Sequence, residues 1–221
     1  EIKMKVLNLY AGIGGNRKLW KDVEVTAVEY DADIAKVYQD HYPNDTVIVG
    51  DAHDYLLKHF KEFDFIWSSP PCQTHSSFRQ NICVRFRGTE PKYPEMNLYQ
   101  EILFLMYNAE CDWVVENVKP YYEPLIKPTK ILQRHLFWSN FDIADAVFEK
   151  DNIRTAQIPD LQAKYGYDLS NYKLSNKRQV LRNCVEPKLG LHILNEKDYF
   201  ETAKERIEKH TTQQRLFTGE I

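Results

Sequence analysis

Over the first 140 residues, short apolar runs alternate with stretches of helical spacing. The runs Val6–Tyr10, Val25–Glu29, Thr46–Val49, Phe63–Trp67 and Trp113–Val115 each read as a strand. Between them the pattern predicts a helix beginning near Asn16, a second over Ala32–His41 and a third over Met96–Asn108. In the last of these, Leu98, Ile102, Leu105 and Met106 recur at helical spacing. Leu136–Trp138 supplies a further strand. Strands alternating with helices indicate βαβ units and a doubly wound, mostly parallel α/β sheet. Beyond it the periodicity weakens. Residues 142–177 read as one or two short elements plus loop, and Glu196–His210 as a solvated helix with Phe200, Ala203 and Ile207 on one face. The expected organisation is a core over residues 1–141, a connecting region over 142–177 and a C-terminal segment over 178–221.

Composition narrows the class without choosing the chemistry. A chain of 221 residues, 43% hydrophobic and 28% charged, is long enough to bury a core without disulfides or structural metal. No apolar run approaches the ~20 residues of a membrane span, and no leader peptide is expected before the first strand. Cys72, Cys83, Cys111 and Cys184 form no CxxC pair, which argues against a zinc cluster and a secreted scaffold and suits a reducing cytoplasm. A net charge of −3 does not announce a nucleic-acid binder, so any such surface must be local. His53, His59 and His75 show no metal-ligand spacing.

The candidate chemistry sits where strands end. The turn Ala11-Gly12-Ile13-Gly14-Gly15 follows the first strand, and Glu29 ends the second, 17 residues after Gly12. Such a turn lets a nucleotide-like ligand reach backbone N–H groups, and a carboxylate at that strand end can take both ribose hydroxyls. The spacing does not separate a dinucleotide from S-adenosylmethionine. Tyr30 can stack on an adenine and Asp51 can accept from an exocyclic amine. Either alone reads more readily as a surface tyrosine or a helix-capping aspartate; their place at strand ends adds weight to the ligand reading. Pro70-Pro71-Cys72-Gln73 ends the fourth strand, placing a candidate nucleophile at the ligand crevice. An ordinary thiol, with a pKa of ~8.5, is only slightly ionised at neutral pH. Glu116-Asn117-Val118 ends the fifth strand and brings a carboxyl group toward the same crevice. Thiolate addition to carbon 6 of cytosine, with an acid at ring N3, makes carbon 5 a nucleophile toward a methyl sulfonium.

The segments Asn8–Gly15, Ser69-Pro70-Pro71-Cys72-Gln73 and Trp113–Val118 resemble, in order and spacing, the DNA (cytosine-5) methyltransferases. Gln179–Pro187 is similar to that family's last motif. The resemblance implies a Rossmann-like S-adenosylmethionine-dependent fold. Tyr10, Ala11, Gly12, Ile13, Gly14 and Gly15 would wrap the methionine part of the cofactor, and Glu29 would hold its ribose. Tyr30 would pack on adenine, with Asp51 and Ala52 at its edge. Pro71, Leu98, Asn183 and Val185 would complete the wall. Cys72 would attack a flipped cytosine and Glu116 would engage N3 and the amino group, while Asn117 would brace the cysteine loop.

Three departures stand out. Where the family carries a pair of arginines this chain reads Gln133-Arg134-His135, so Arg134 is the remaining candidate anchor for the base. Residues 142–177 are too few for a full target-recognition domain, which makes this a compact member. The motif that normally precedes the last one is not recognisable. Residues 73–92 carry Arg79, Arg85, Arg87 and Lys92 against Glu90, and with Gln73 and Ser76 they are the candidate nucleic-acid contacts.

The implied activity is cytosine-5 methylation of double-stranded DNA by base flipping, with no metal or membrane, in a cytoplasmic protein of bacterial or phage origin. Its role would be restriction-modification, phage modification or regulation. Two alternatives stay open: the same chemistry on transfer RNA, and a half-enzyme whose partner chain supplies target recognition. A nicotinamide oxidoreductase would leave the Pro-Pro-Cys and Glu-Asn-Val stretches without roles.

Overall fold

The computed structural model describes residues 3–149 and 155–196; the expected helix over Glu196–His210 lies outside them beyond its first residue. Among the described residues, seven strands form one sheet. They are β1 (Met4–Leu9), β2 (Val23–Glu29), β3 (Thr46–Val49), β4 (Phe65–Ser68), β5 (Asp112–Val118), β6 (Lys130–Leu132) and β7 (His135–Ser139). Their order is β3-β2-β1-β4-β5-β7-β6. The first five are parallel, and β7 runs antiparallel to both β5 and β6. The expected doubly wound α/β sheet is therefore present, with an antiparallel hairpin at one edge. From β1 the chain winds outward through β2 to β3 and then returns to β4 on the other side. The crevice outside the carboxyl ends of β1 and β4 is the topological switch point, where ligands of open α/β sheets bind.

Both faces of the sheet are covered, so its central strands are apolar on successive residues. Leu7, Leu9, Ile66, Trp113, Val115, Leu136 and Trp138 meet α2 (Ala52–His59) and α3 (Asn97–Asn108). Val6, Phe65, Trp67, Val114 and Phe137 meet the opposite layer, with Leu189 and Ile193 of α6 (Pro187–Glu196). On that second face also lies α1 (Ala32–His41), capped by Asp31, whose side chain accepts from the amides of Asp33 and Ile34.

The helix expected near Asn16 is a single 3-10 turn, Asn16–Leu19. Only a few residues separate it from β2, too few for a helix and its return. Its place is filled by α6 from the far end of the chain. The Trp20 indole N–H donates to Gly190 O at 3.0 Å. A Cβ at Gly190 would stand 2.3 Å from Asn16 O, so only glycine permits the approach.

In the connecting region, α4 (Ile158–Tyr165) opens on Gln157 and Asp160, each side chain accepting from the other's amide. With α5 (Lys177–Arg182), Tyr165, Tyr167 and Leu169 it packs on Val37 of α1 and on Ile13. The β6 strand, α2, α5 and α6 were not among the expected elements.

Candidate active site

Each side of the cleft is set by what a strand does as it ends. Past β1 the chain turns sharply through left-handed backbone at Tyr10 (φ 56°), Gly12 (φ 55°) and Gly14 (φ 83°). Gly14 N donates to Ala11 O at 3.0 Å, and Ala11 N ties the turn to Val28 O of β2 at 3.0 Å. Glu29 then grips it from the next strand. Its Oε2 accepts from Gly12 N at 2.9 Å and its Oε1 from Asp31 N at 3.0 Å. Burial pushes the Glu29 carboxyl up, and these amides partly offset the shift. Tyr30 lies beside it, 76% exposed, an aromatic surface with no side-chain cover. Asp51 caps α2 through Oδ1, which accepts from His53 N (2.8 Å) and Asp54 N (3.1 Å), so Oδ2 takes no part in the cap.

On the other side of the switch point, the loop after β4 presents Pro70, Pro71 and Cys72. Asn117, buried on β5, donates from Nδ2 to Pro70 O at 2.9 Å. Cys72 O accepts from the amides of His75 (3.1 Å) and Ser76 (3.0 Å), closing the turn behind the thiol. Cys72 is partly exposed by area, yet its thiol is enclosed closely enough that burial pushes it up to about 11. The charge of Glu116 adds to this, and Arg134 and Arg182 act against it. Cys184, fully buried, is pushed up to about 12 and is chemically quiet.

Glu116 projects from β5, 6% exposed. Its Oε1 accepts from Nδ1 of His135, the first residue of β7. Glu116 pairs with Phe137 and Val118 with His135 in the antiparallel ladder, so Glu116 and His135 are diagonal neighbours on one face. Burial alone would raise the Glu116 carboxyl; His135, Ser69 and Arg134 more than offset it, and the net direction is down. Leu132 pairs directly with His135, which leaves Gln133-Arg134 as a two-residue hairpin turn with Gln133 at φ 54°. That turn carries Arg134 into the cleft, where its Nη2 donates to Arg182 O at 3.4 Å.

These sides enclose one continuous cavity of about 530 Å³. At one end it is lined by the turn after β1 with Glu29, Tyr30, Asp51 and Ala52; at the other by Cys72, Gln73, Glu116 and Arg134. Asn183 and Val185 close it from the C-terminal side. Two expected wall residues stand elsewhere. Leu98 is buried in the core between α3 and the sheet, because its side of α3 faces the sheet beneath the cleft. Gly14 turns away from the cleft into Tyr38 and Tyr42; the hydroxyls of Tyr42 and Tyr167 lie 3.0 and 2.8 Å from its carbonyl.

Ser76, Arg79, Arg85 and Arg87 do not line the cavity. They belong to the segment that leaves the cleft after Cys72. There Ser76 bridges to Pro120, Arg79 opens a π-helical turn (Arg79–Val84), and Arg85 and Arg87 are exposed with Phe86 (86%) and Tyr93 (95%). Sequence reasoning missed His135, which meets Glu116 only through strand pairing, and Arg182, which the returning C-terminal segment brings to the cavity beside Arg134. Among the described residues no cluster of His, Cys, Asp and Glu could hold a metal ion, and no helix is long and apolar enough to cross a membrane.

A family model described as C-5 cytosine-specific DNA methylase matches residues 4–123. No curated protein matches the chain. Among solved structures, the chain is similar to a DNMT2 mutant from Spodoptera frugiperda at 25% identity. That match covers 53% of this chain and 36% of the other, with a TM-score of 0.37. It is also similar to an SAM-dependent methyltransferase from Agrobacterium tumefaciens, at 16% identity over 55% of this chain and 41% of that one, with a TM-score of 0.36.

Proposed function

The chain belongs to the C-5 cytosine-specific DNA methylase family, and from that premise we propose that it methylates carbon 5 of cytosine in duplex DNA, with S-adenosylmethionine as donor and Cys72 as covalent nucleophile. One observation carries this reading. A single cleft at the switch point joins an end lined by Glu29 and the exposed Tyr30 to an end holding a thiol, a carboxyl group and a guanidinium.

The residues present fit the donor. A carboxylate stands at the end of the second strand, an aromatic face is open beside it, and left-handed turn backbone leaves room for close approach. Bound there, S-adenosylmethionine supplies a methyl group on a sulfonium, the electrophile for the activated ring carbon. Glu29 takes the ribose hydroxyls, Tyr30 packs on the adenine, and Asp51 offers Oδ2 to its edge. Asn183 and Val185 close the pocket.

The target base must leave the duplex, because the thiol cannot reach carbon 6 within the stack. Cys72 gives its proton to water and its sulfur bonds to carbon 6. The displaced ring electrons are held by a proton or strong donor at N3 presented by Glu116, and carbon 5 becomes nucleophilic. Once carbon 5 has taken the methyl group, leaving the spent donor as a neutral thioether, carbon 5 loses its proton to water. Its electrons restore the ring double bond as the carbon–sulfur bond breaks, and the sulfur regains a proton from water while N3 gives its proton back. Arg134 and Arg182 favour the thiolate electrostatically. The half-buried Arg79 and the exposed Arg85 and Arg87 meet the phosphates near the cleft.

Labelled donor, duplex DNA and transfer RNA test the reading together. Label should enter duplex DNA, disappear with Cys72→Ala and fall steeply with Glu116→Gln, while Cys72→Ala still binds the donor. DNA carrying 5-fluorocytosine, whose carbon 5 cannot release a proton, should stay bonded to the wild type after denaturation and not to Cys72→Ala. Label only in transfer RNA would move the substrate to RNA. Activity that appears only with an added partner chain would assign target recognition to that partner.

A further inference from the structure

Glu101 has no exposed surface and lies on the apolar stripe of α3 with Leu98, Ile102 and Leu105. Its two oxygens collect three donors. Oε1 accepts from the Tyr10 hydroxyl at 2.5 Å and from His53 Nδ1 at 2.9 Å, and Oε2 from the Ser68 hydroxyl at 2.5 Å. A buried carboxylate is a poor source of stability, since well-packed apolar residues of similar size usually serve as well or better. The origin of the donors is informative. Tyr10 is the first residue after β1, His53 is the second residue of α2, directly after Asp51 and Ala52, and Ser68 is the last residue of β4, ahead of the Pro-Pro-Cys loop. These three segments build the cleft from three strand ends. Tyr10 also holds a left-handed backbone that a non-glycine residue adopts only under strain, so its turn needs an external anchor.

We propose that Glu101 is a positioning residue for the methyl donor: one buried carboxylate locks the turn after β1, the start of α2 and the end of β4 into the arrangement that binds it. The proposal rests on reading the cleft as the S-adenosylmethionine site. Burial and the neighbouring Glu101 charge push the Tyr10 hydroxyl far up, which keeps it a donor.

The test is calorimetric binding of S-adenosylmethionine to the full chain as wild type, Tyr10→Phe, Glu101→Gln and the double variant. The core variant Ile102→Val serves as a control that loosens α3 without touching the network. Tyr10→Phe and Glu101→Gln should each weaken binding about tenfold or more. The double variant should bind no worse than Glu101→Gln, because both changes break the same bond. Ile102→Val should lower the melting temperature and leave affinity alone. Should Glu101→Gln fail to fold, Tyr10→Phe, which removes one hydroxyl, carries the test. Wild-type affinity in the variants that fold, or fully additive losses, would overturn the proposal while leaving the cofactor reading intact. A wild type that binds no S-adenosylmethionine would overturn both.

Discussion

His135 donates its Nδ1–H to Glu116 across the antiparallel ladder between β5 and β7, and both side chains are almost wholly buried. The pair decides the charge state of the carboxyl group in the cleft. It holds the Glu116 carboxyl below the ordinary carboxylate range against a burial effect that alone would raise it. The resting Glu116 is therefore ionised, and in the proposed reaction it has to take up a proton as the base binds before it can present one at N3.

The pair has a pH signature in stability. A carboxyl whose pKa is depressed by folding contributes stability above its unfolded value, ~4.3, and loses it as pH falls through the folded value. Without the imidazole, burial is less opposed and the carboxyl shifts up. His135→Leu should lose about 3–5 kcal/mol at pH 7.5, where Glu116 would be charged without its imidazole donor, and clearly less at pH 5, where the carboxyl can take up a proton. Urea denaturation at the two pH values measures this. An equal loss at both would mean that Glu116 keeps the same protonation state without the imidazole.

Cys72 should show the raised thiol directly. With its value pushed up to about 11 by burial and by the Glu116 charge, labelling by a small alkylating reagent should climb nearly tenfold per pH unit from 7 to 10. Glu116→Gln removes one of the two raising influences and should speed labelling at pH 8, whereas Arg134→Ala should slow it. Mass spectrometry of the Cys72 peptide gives the rates. A pH-independent rate would place the thiolate at rest.

Two glycines should differ in what they tolerate. Gly190→Ala drives a methyl group into Asn16 O, on backbone that cannot step aside, and should cost roughly 1–3 kcal/mol or more by overpacking. Gly12→Ala meets nothing within 4 Å and bears only the left-handed backbone at φ 55°, about 1–2 kcal/mol. Thermal denaturation should rank Gly190→Ala below Gly12→Ala. The reverse order would mean that α6 does not press on the Asn16 turn.

If the segment after Cys72 meets phosphates, Arg85→Ala and Arg87→Ala should each lower the slope of log affinity against log salt for duplex DNA by about 0.9. Fluorescence anisotropy across a salt series reads this. Slopes that match wild type would take these side chains off the nucleic-acid surface.

Much of this site is written locally. The strand ends announce themselves because parallel strands covered on both faces read as unbroken apolar runs, and the residues just past them, from Tyr10 to Gly15, Glu29, Cys72 and Glu116, follow in sequence. Glu101 left a signal of another kind, a charge on the apolar stripe of α3 between Leu98 and Leu105. No local pattern says what such a charge will meet. Leu98 shows the converse: its side of the helix was legible, and the direction that side faces, into the core beneath the cleft, was not.

By itself the sequence determined the alternation of elements, the doubly wound class and the strand-end residues, since these depend on side-chain period and turn chemistry within a few residues of each other. Only the tertiary structure decided that β7 enters antiparallel beside β5 and brings His135 to Glu116. The same holds for α6 filling the place of a first helix, and for Glu101 gathering Tyr10, His53 and Ser68. Those relationships join residues 19 to 170 positions apart, and the physical reason is that buried polar groups must find partners wherever packing leaves them.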